Sequence, residues 1–288
     1  MARSHVSGIG PARQADRVAR QAARGPWTTV LARCGYVAKG VVYIVIGALA
    51  FRAALGAGGA ITDPKGAILT IYQQPYGAFL LGVATVGLFG FALWSFIQAW
   101  LDTEGKGNKA GGVAARLGYA AVGVSYMILA YSSLRLVLGA GSTGKSSDAN
   151  AQDWTARLLG LPFGAALVVV VGLIILATAL YLFYKAYSAR FRRRLNLAGL
   201  SRGAQDAVVI FGRCGYAAQG VVFTVIGIFL IIAALRHNAH EARGLGGALR
   251  ELAQQPYGPA LLGISAAGLF IYGVYSLAEA RYRMVGTA

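Results

Sequence analysis

The sequence predicts an all-α fold: a polytopic membrane helical bundle of six transmembrane helices in three parallel two-helix repeats around a pseudo-threefold axis. Composition is the first reason, since 57% of the 288 residues are hydrophobic, 13% are charged and 40 are glycine, which is too apolar for an ordinary soluble domain. Internal repetition is the second reason. A motif ending in Gly-Tyr occurs at residues 33–36, 116–119 and 213–216, each time at the start of an apolar run.

A second motif opens another apolar run in each repeat. It reads Pro-Tyr-Gly at residues 75–77 and 256–258 and Pro-Phe-Gly at residues 162–164. The runs are apolar on all sides rather than alternating, which excludes a membrane β-barrel. Six of them are long enough to cross roughly 30 Å of hydrocarbon as helices, at residues 36–55, 77–101, 119–138, 163–184, 216–235 and 258–278.

The repeats divide the chain into five parts. We expect a basic cytoplasmic amino-terminal segment at 1–32, repeats at 33–103, 104–188 and 213–288, and a basic cytoplasmic linker at 189–212. Each repeat contains two transmembrane helices, and the third also carries a short tail. Because each repeat crosses the membrane an even number of times, all three enter it in the same orientation.

Lysine and arginine are unevenly distributed along the chain. Eighteen of the 27 fall on the side that carries both termini and eight on the other, with Lys39 just inside the first span. The positive-inside rule therefore predicts that both termini are cytoplasmic. The net charge of +17 follows this topology, so nucleic-acid binding is the weaker interpretation. We expect membrane lipids as partners, with anionic headgroups at the cytoplasmic face, and a protein partner of unknown identity.

The first helix of each repeat carries the same face, with residues spaced three and four apart. Small residues on such a face let helix backbones approach closely in lipid. We expect this face to be the packing seam between repeats, and the alternative is that three such faces line a central cavity. The face consists of Arg33, Tyr36, Gly40, Tyr43 and Gly47, then Arg116, Tyr119, Gly123, Tyr126 and Ala130, then Arg213, Tyr216, Gly220, Phe223 and Gly227.

Two kinds of segment are expected to lie at the membrane surface. Short stretches before the second motif have apolar residues at helical spacing, such as Ile68 and Ile71 or Leu249 and Leu252, and are interpreted as small helices in the outer interface. The stretch 187–200 places Phe191 beside three consecutive arginines, which favours a segment lying flat on anionic headgroups.

Residues 139–146 match the phosphate-binding pattern G-x-x-x-x-G-K-[ST] at every specified position. That loop needs a preceding strand and a following helix whose amino terminus meets the phosphates. Here a membrane helix precedes the loop, and no helix is expected after it. We therefore interpret the stretch as a glycine-serine loop that binds no nucleotide.

Metal binding has two candidate sites. His237, His240 and Glu241 could supply ligands for zinc or copper, although solvated side chains are the better interpretation. Cys34 and Cys214 occupy equivalent repeat positions, where we expect buried small residues and no disulfide on a cytoplasmic face. The sequence thus predicts neither a metal site nor a cofactor.

Ionisable groups are scarce inside the spans, where transport would favour them. Lys39 is expected to reach the nearby surface by snorkelling. Gln98, Lys185 and Glu279 share one equivalent position in the second helices. Lys185 could pair with Glu279, although ordinary boundary residues are the simpler interpretation. Since no nucleophile–base set or carboxylate pair is found, the sequence predicts a protein that is not an enzyme.

The stretch R-x-G-Y-x-A-x-G at residues 33–40 and 213–220, with a fainter copy at 116–123, resembles the bacterial integral-membrane family called domain of unknown function 1206. The resemblance covers most of the chain and implies three tandem two-helix units in a bacterial inner membrane. It implies no established activity, ligand or catalytic residue. Departures in the middle repeat, such as Val122 for Lys39 and Gln219, predict that the three copies are not equivalent.

Function is predicted only in outline. We expect a multi-pass inner-membrane protein of unknown biochemical activity that acts as a non-enzymatic scaffold or accessory protein. The alternative is a pore or carrier for a small or apolar solute along the pseudo-threefold axis. A metal or redox component is a third, weaker class.

Overall fold

The computed structural model describes residues 26–101, 110–140 and 144–284. Within these ranges the chain forms nine α-helices and two short 3₁₀ helices, at Arg190–Arg194 and Ala239–Glu241. The α-helices are α1 (Pro26–Ala54), α2 (Pro64–Tyr72), α3 (Gly77–Leu101), α4 (Ala110–Val137), α5 (Ser147–Leu159), α6 (Gly164–Ser188), α7 (Arg202–Leu235), α8 (Leu245–Gln254) and α9 (Gly258–Tyr282).

Six of these helices are long and apolar enough to cross a membrane, namely α1, α3, α4, α6, α7 and α9. They confirm the predicted all-α, multi-pass membrane fold with two spanning helices in each repeat. The second helix of each repeat begins as predicted, within one residue, at Gly77, Gly164 and Gly258. The first helices begin well before the predicted spans, because the polar and small residues ahead of the motif continue the helix.

In space, neighbouring spanning helices are arranged in the order α4, α3, α1, α9, α7, α6. The closest contacts join the second helix of one repeat to the first helix of the next: α3 to α4, α6 to α7, and α9 back to α1. Because the last contact returns from the third repeat to the first, the repeats surround a common axis. Within the described residues α4 and α6 make no comparable contact, so the ring is open inside the middle repeat.

The two ends of the bundle differ. Ala32 near the start of α1 packs in the same cluster as Ala280 near the end of α9, and we call this the terminal end. The opposite end, which we call the loop end, carries the short helices α2, α5 and α8. Buried Ile68 of α2 and Leu249 of α8 belong to the main hydrophobic core. The predicted short helices are present, and these apolar side chains pack into the bundle rather than into lipid.

The second motif forms the same sharp turn in all three repeats. Tyr76, Phe163 and Tyr257 adopt left-handed backbone conformations, with φ of 60°, 60° and 61°. The glycine that follows each of them begins a spanning helix and leaves no room for a Cβ, which would overlap the carbonyl oxygen of a residue in the preceding short helix. The three aromatic side chains are exposed, at a level where aromatic residues are typical of a membrane interface.

The linker after α6 folds back onto the terminal end. Phe191 and Leu195 are buried in a cluster with Tyr216 and Tyr275, and the backbone N–H of Met284 donates to the carbonyl of Arg194 over 3.0 Å. The apolar side of this segment therefore packs on the bundle rather than on lipid, while Arg192 and Arg193 remain exposed.

Candidate functional site

Three equivalent seams hold the repeats together. A Cβ added at Gly40 would lie 2.9 Å from Cδ2 of Leu277, and one at Gly220 would lie 2.9 Å from the ring of Phe183. Gly123 faces Phe96 in the same way, also at 2.9 Å. Counted from the repeated motifs, these three partners occupy one equivalent position in the second helix of the preceding repeat. The glycines of the predicted packing face thus lie where α9, α3 and α6 approach α1, α4 and α7.

The next positions of that face continue the seams. A Cβ at Gly47 would lie 2.7 Å from the carbonyl oxygen of Ala266, and one at Gly227 would lie 2.8 Å from Leu176. Ala130, the equivalent residue of the middle repeat, is buried. Backbones approach closely at each seam, which favours dispersion contacts between helices in lipid.

The repeated arginines lie at the terminal end of the seams. The Arg116 Nε donates to the carbonyl of Ala99 over 2.7 Å, and its Nη2 donates to that of Trp100 over 3.0 Å. Arg213 Nη2 donates to the carbonyl of Tyr187 over 3.0 Å. These carbonyls end α3 and α6, so both arginines satisfy unpaired groups at the carboxyl terminus of the neighbouring repeat's helix. Arg33 is exposed.

The aromatic members of the face lie inside the bundle. The Tyr36 ring meets Phe91 with centroids 5.2 Å apart, and the Tyr126 ring meets the same phenylalanine at 4.6 Å. Tyr43 lies edge-on to Tyr272 at 5.0 Å. Tyr216 is buried against Phe191 and Tyr272, while Tyr119 and Phe223 are half-buried. Edge-to-face pairs of this kind add to the packing energy of the seams.

A buried ion cluster, formed by Lys39, Glu279 and Arg283, lies near the terminal end between α1 and α9. Arg283 Nη1 donates to Glu279 Oε1 over 2.8 Å, and Lys39 Nζ lies 3.9 Å from Glu279 Oε2. Only 8% of Lys39 and 3% of Glu279 are exposed. The expectation that Lys39 snorkels to the surface is wrong. The side chain is enclosed by Glu279 and by three aromatic rings, and its Nζ lies 4.6 Å from the centroid of the Tyr272 ring.

Lys185 occupies the position in the middle repeat that Glu279 occupies in the third. Its Nζ lies 3.8 Å from the centroid of the Tyr216 ring, which is the geometry of a cation–π contact. The carboxylate of Glu279 is held by Arg283 and Lys39 instead. The sequence prediction found these polar positions but missed the pairing with Lys39, which comes from a different repeat.

The short helices of the three repeats are joined at their amino termini. Asp63, the N-cap of α2, accepts from Gly66 N over 2.9 Å and from Ser147 N at the start of α5. Asp148 of α5 accepts from Gly244 N over 2.7 Å and from Gly247 N over 2.9 Å. Both carboxylates therefore link one repeat to the next while they satisfy the unpaired amides at helix starts.

A cavity of about 190 Å³ lies at this junction, lined by Thr62, Lys65, Ser146 and Arg250 among others. Arg250 Nη2 pairs with Asp148 Oδ2, and Lys65 Nζ donates to the carbonyl of Lys145 over 2.6 Å. The charged groups around the cavity thus bind each other, which fits a junction that fixes the repeats.

The phosphate-loop candidate ends at this junction. Helix α5 does follow the loop, so the expectation of no following helix is wrong. Two amides at its start already donate to side chains, since Ser146 Oγ accepts from Ala149 N over 3.2 Å and Asp63 accepts from Ser147 N. Lys145 Nζ pairs with Asp153 on the same helix. The groups that would bind a phosphate are therefore already engaged, and residues 141–143 of the loop lie outside the described part of the chain.

The residues named as candidate metal ligands do not form a ligand group in the described part of the chain. Glu241 Oε1 accepts from Arg236 Nη1 over 3.0 Å, and the described residues contain no group of three or more histidine, cysteine or acidic side chains placed to hold a metal. Cys34 and Cys214 are free and exposed. The expectation of buried cysteines is therefore wrong.

The middle repeat lacks the helix contact that the outer repeats have. In the first repeat a Cβ at Gly35 would lie 2.7 Å from Phe91 Cα, and in the third a Cβ at Gly215 would lie 2.7 Å from Tyr272 Cα. At the equivalent Gly118, no atom of another described element lies within 4 Å of such a Cβ. The two helices of the middle repeat are therefore parted at this level.

Side-chain size explains this separation. The outer repeats pack Ala38 against Gly87 and Ala218 against Gly268, next to Cys34 and Cys214. Where these repeats have cysteine and glycine, the middle repeat has Leu117, which is 67% exposed, and Ile174, which is 59% exposed. Ile174 is the obstacle to close approach, because even a Cβ at the equivalent Gly87 would lie 2.8 Å from Ala38 Cβ. We call the resulting gap the open seam, formed by Leu117, Gly118 and Ala121 of α4 and Ile174 and Ala177 of α6.

The sequence analysis missed the open seam, although the sequence carries its signal. Leucine and isoleucine replace cysteine and glycine at the two positions where the outer repeats agree. The loop-end junction left a weaker signal, because its aspartates are not repeated at equivalent positions.

Comparison with known proteins agrees with the three-repeat architecture. The family described as Domain of Unknown Function (DUF1206) matches three times, over residues 34–102, 117–189 and 214–283. The chain is similar to the uncharacterized protein YxxB of Bacillus subtilis (strain 168), with 37% identity over 258 residues that cover 90% of this chain and 92% of that protein. No solved structure matches the chain significantly. The resemblance noted from the repeated motif is confirmed, and the chain belongs to the DUF1206 family.

Proposed function

We propose that the chain is a non-enzymatic scaffold or accessory protein of the bacterial inner (plasma) membrane. The observation that carries this proposal is the packed interior between the repeats. Ile46, Leu88, Leu129, Val222 and Leu269, from five spanning helices, are buried in a single hydrophobic core. A core of this kind fixes the relative positions of the helices and supports a role in presenting surfaces rather than in moving a solute.

The unequal charge of the two membrane sides supports an orientation with both termini cytoplasmic. Arg192 and Arg193 are exposed beyond α6, at the terminal end, where they would meet anionic headgroups at the cytoplasmic face. Lipids at this face and a protein partner held by the exposed spanning helices are the partners that we propose.

A pore or carrier for a small or apolar solute is the second candidate. The observation that favours it is the set of three equivalent seams, which places Tyr43, Tyr126 and Phe223 at matching positions around the common axis. The cavity of about 190 Å³ lies at the junction of the three repeats. Movement of these rings would be needed to open a path, because Tyr43 packs on Tyr272.

Two measurements separate the candidates. For a scaffold, native mass spectrometry of the protein extracted directly into nanodiscs should record a defined bound protein, and liposomes with the purified chain should show no added dye, ion or water flux. A flux that changes in Tyr43→Ala, Tyr126→Ala or Phe223→Ala, but not in Tyr131→Ala on the exposed side of α4, would establish the pore or carrier. A bare monomer without flux would refute both.

A further inference from the structure

The open seam differs in chemistry from the contact between the two spanning helices within each outer repeat. In the outer repeats the position two turns beyond Gly87 or Gly268 is an aromatic residue, Trp94 or Tyr275, and both are buried. The equivalent Tyr181 of the middle repeat is 53% exposed. The open seam and Tyr181 together present an apolar strip about two helical turns long between α4 and α6, in a part of the protein that lies inside the membrane.

Cationic groups lie at the terminal end of this strip. Tyr184, one turn beyond Tyr181, is partly exposed, and the guanidinium Cζ of Arg190 lies 5.3 Å from the centroid of its ring. The stacking holds Arg190 directly beyond the end of α6. Arg193, three residues further on, is also exposed and contributes to the positive charge of this end.

We propose that the open seam binds one acyl chain of an anionic phospholipid whose phosphate is bound by Arg190. An apolar strip inside the membrane next to a fixed cation at its end complements such a lipid, because the acyl chain would contact the apolar side chains and the negative phosphate would contact the arginine. Arginine is suited to phosphate because its planar guanidinium offers several donors in a fixed geometry.

Charge complementarity favours a lipid over the other occupants of an apolar gap. A partner's transmembrane helix or a second copy of this chain would cover the strip but would not account for a stacked cation at its end. The inference does not depend on the scaffold proposal, since a lipid in the open seam is compatible with a scaffold and with a carrier.

The test uses the full chain in nanodiscs made of phosphatidylcholine with a minor fraction of phosphatidylglycerol. Native mass spectrometry then counts the lipid that stays bound when the protein is released. We expect one phosphatidylglycerol per chain to be retained in preference to phosphatidylcholine. Ala121→Trp, which places an indole in the open seam, should abolish this retention. Arg190→Gln should reduce it about fivefold, the effect of one basic residue on an anionic lipid.

Two matched variants serve as controls. Val86→Trp adds the same side chain on an exposed position of α3, and Arg193→Gln removes a neighbouring charge that is not stacked on Tyr184. Both should retain phosphatidylglycerol as the wild type does. Thermal unfolding checks that each variant is folded, and if Ala121→Trp fails to fold, the comparison of Arg190→Gln with Arg193→Gln decides.

Three results would overturn the proposal. Equal losses in Arg190→Gln and Arg193→Gln would mean general attraction to an anionic surface, and equal losses in Ala121→Trp and Val86→Trp would place the lipid elsewhere. A bound protein or second copy that disappears only in Ala121→Trp would give the open seam a different occupant.

Discussion

The buried ion cluster depends on the pairing of single residues, because a charged group inside a membrane protein costs free energy unless it is paired. Glu279 is its centre, since its carboxylate lies between Arg283 and Lys39. Removing one partner of a buried pair typically costs about 3–5 kcal/mol, because the remaining charge is left uncompensated. The cluster therefore stabilises the contact between α1 and α9 only while Glu279 is present to compensate its two cations.

Replacing the acid should consequently be worse than replacing the base. Glu279→Gln leaves two cations side by side, whereas Lys39→Met leaves Glu279 paired with Arg283. We expect Glu279→Gln to lower the free energy of unfolding by about 3 kcal/mol and Lys39→Met to lower it by less than about 1.5 kcal/mol. Unfolding in nanodiscs, followed by circular dichroism, measures both.

The more exposed pair of Glu241 with Arg236 supplies the control, since Glu241→Gln should change stability by less than about 1 kcal/mol. If Lys39→Met proved as damaging as Glu279→Gln, compensation of the two cations by Glu279 would not explain the stability of the cluster.

At the scale of elements, the short helices connect the repeats to one another. Asp148 begins α5 and also satisfies two amides at the start of α8, from the next repeat. Leaving a buried donor without a partner costs about 1–3 kcal/mol. One side chain thus couples the folding of α5 to that of α8.

Asp148→Ala should release the start of α8. We expect the amides of Gly244 and Gly247 to exchange hydrogen faster by at least tenfold, which corresponds to about 1.4 kcal/mol of lost protection. Hydrogen exchange with mass spectrometry measures this directly. Asp153→Ala, which removes an exposed partner of Lys145 from the same helix, should leave α8 unchanged. Unaltered hydrogen exchange in Asp148→Ala would show that this side chain does not connect α5 to α8.

The elements differ in how far the sequence could predict them. Spanning helices depend on local apolar length, and repeats depend on motifs, so α3 was predicted from Gly77 to Leu101 as it is observed. The start of α7 at Arg202 was missed because the residues before Arg213 are too polar to belong to an apolar run. Contacts such as Asp148 with Gly244 join residues 96 positions apart, and periodicity along one helix contains no information about them.

The whole molecule is a threefold arrangement from which one contact is missing. All three seams between repeats are built with equivalent glycine or small residues, while among the described residues a close helix contact within a repeat is made in the first and the third. The middle repeat has Ile174 where the outer repeats have Gly87 and Gly268, and this larger side chain stands where those repeats make their closest contact.

Glycine substitutions at one equivalent position provide a test of this asymmetry. Gly35→Leu and Gly215→Leu should each destabilise the protein by at least about 2 kcal/mol, because a side chain there meets the backbone of α3 or α9, which cannot move aside. Gly118→Leu should change stability by less than about 0.5 kcal/mol, since nothing lies within 4 Å of the new Cβ. Thermal unfolding of the three variants in one lipid mixture compares them. A loss in Gly118→Leu as large as in the other two would mean that α4 and α6 touch in the membrane and that the molecule is a closed ring.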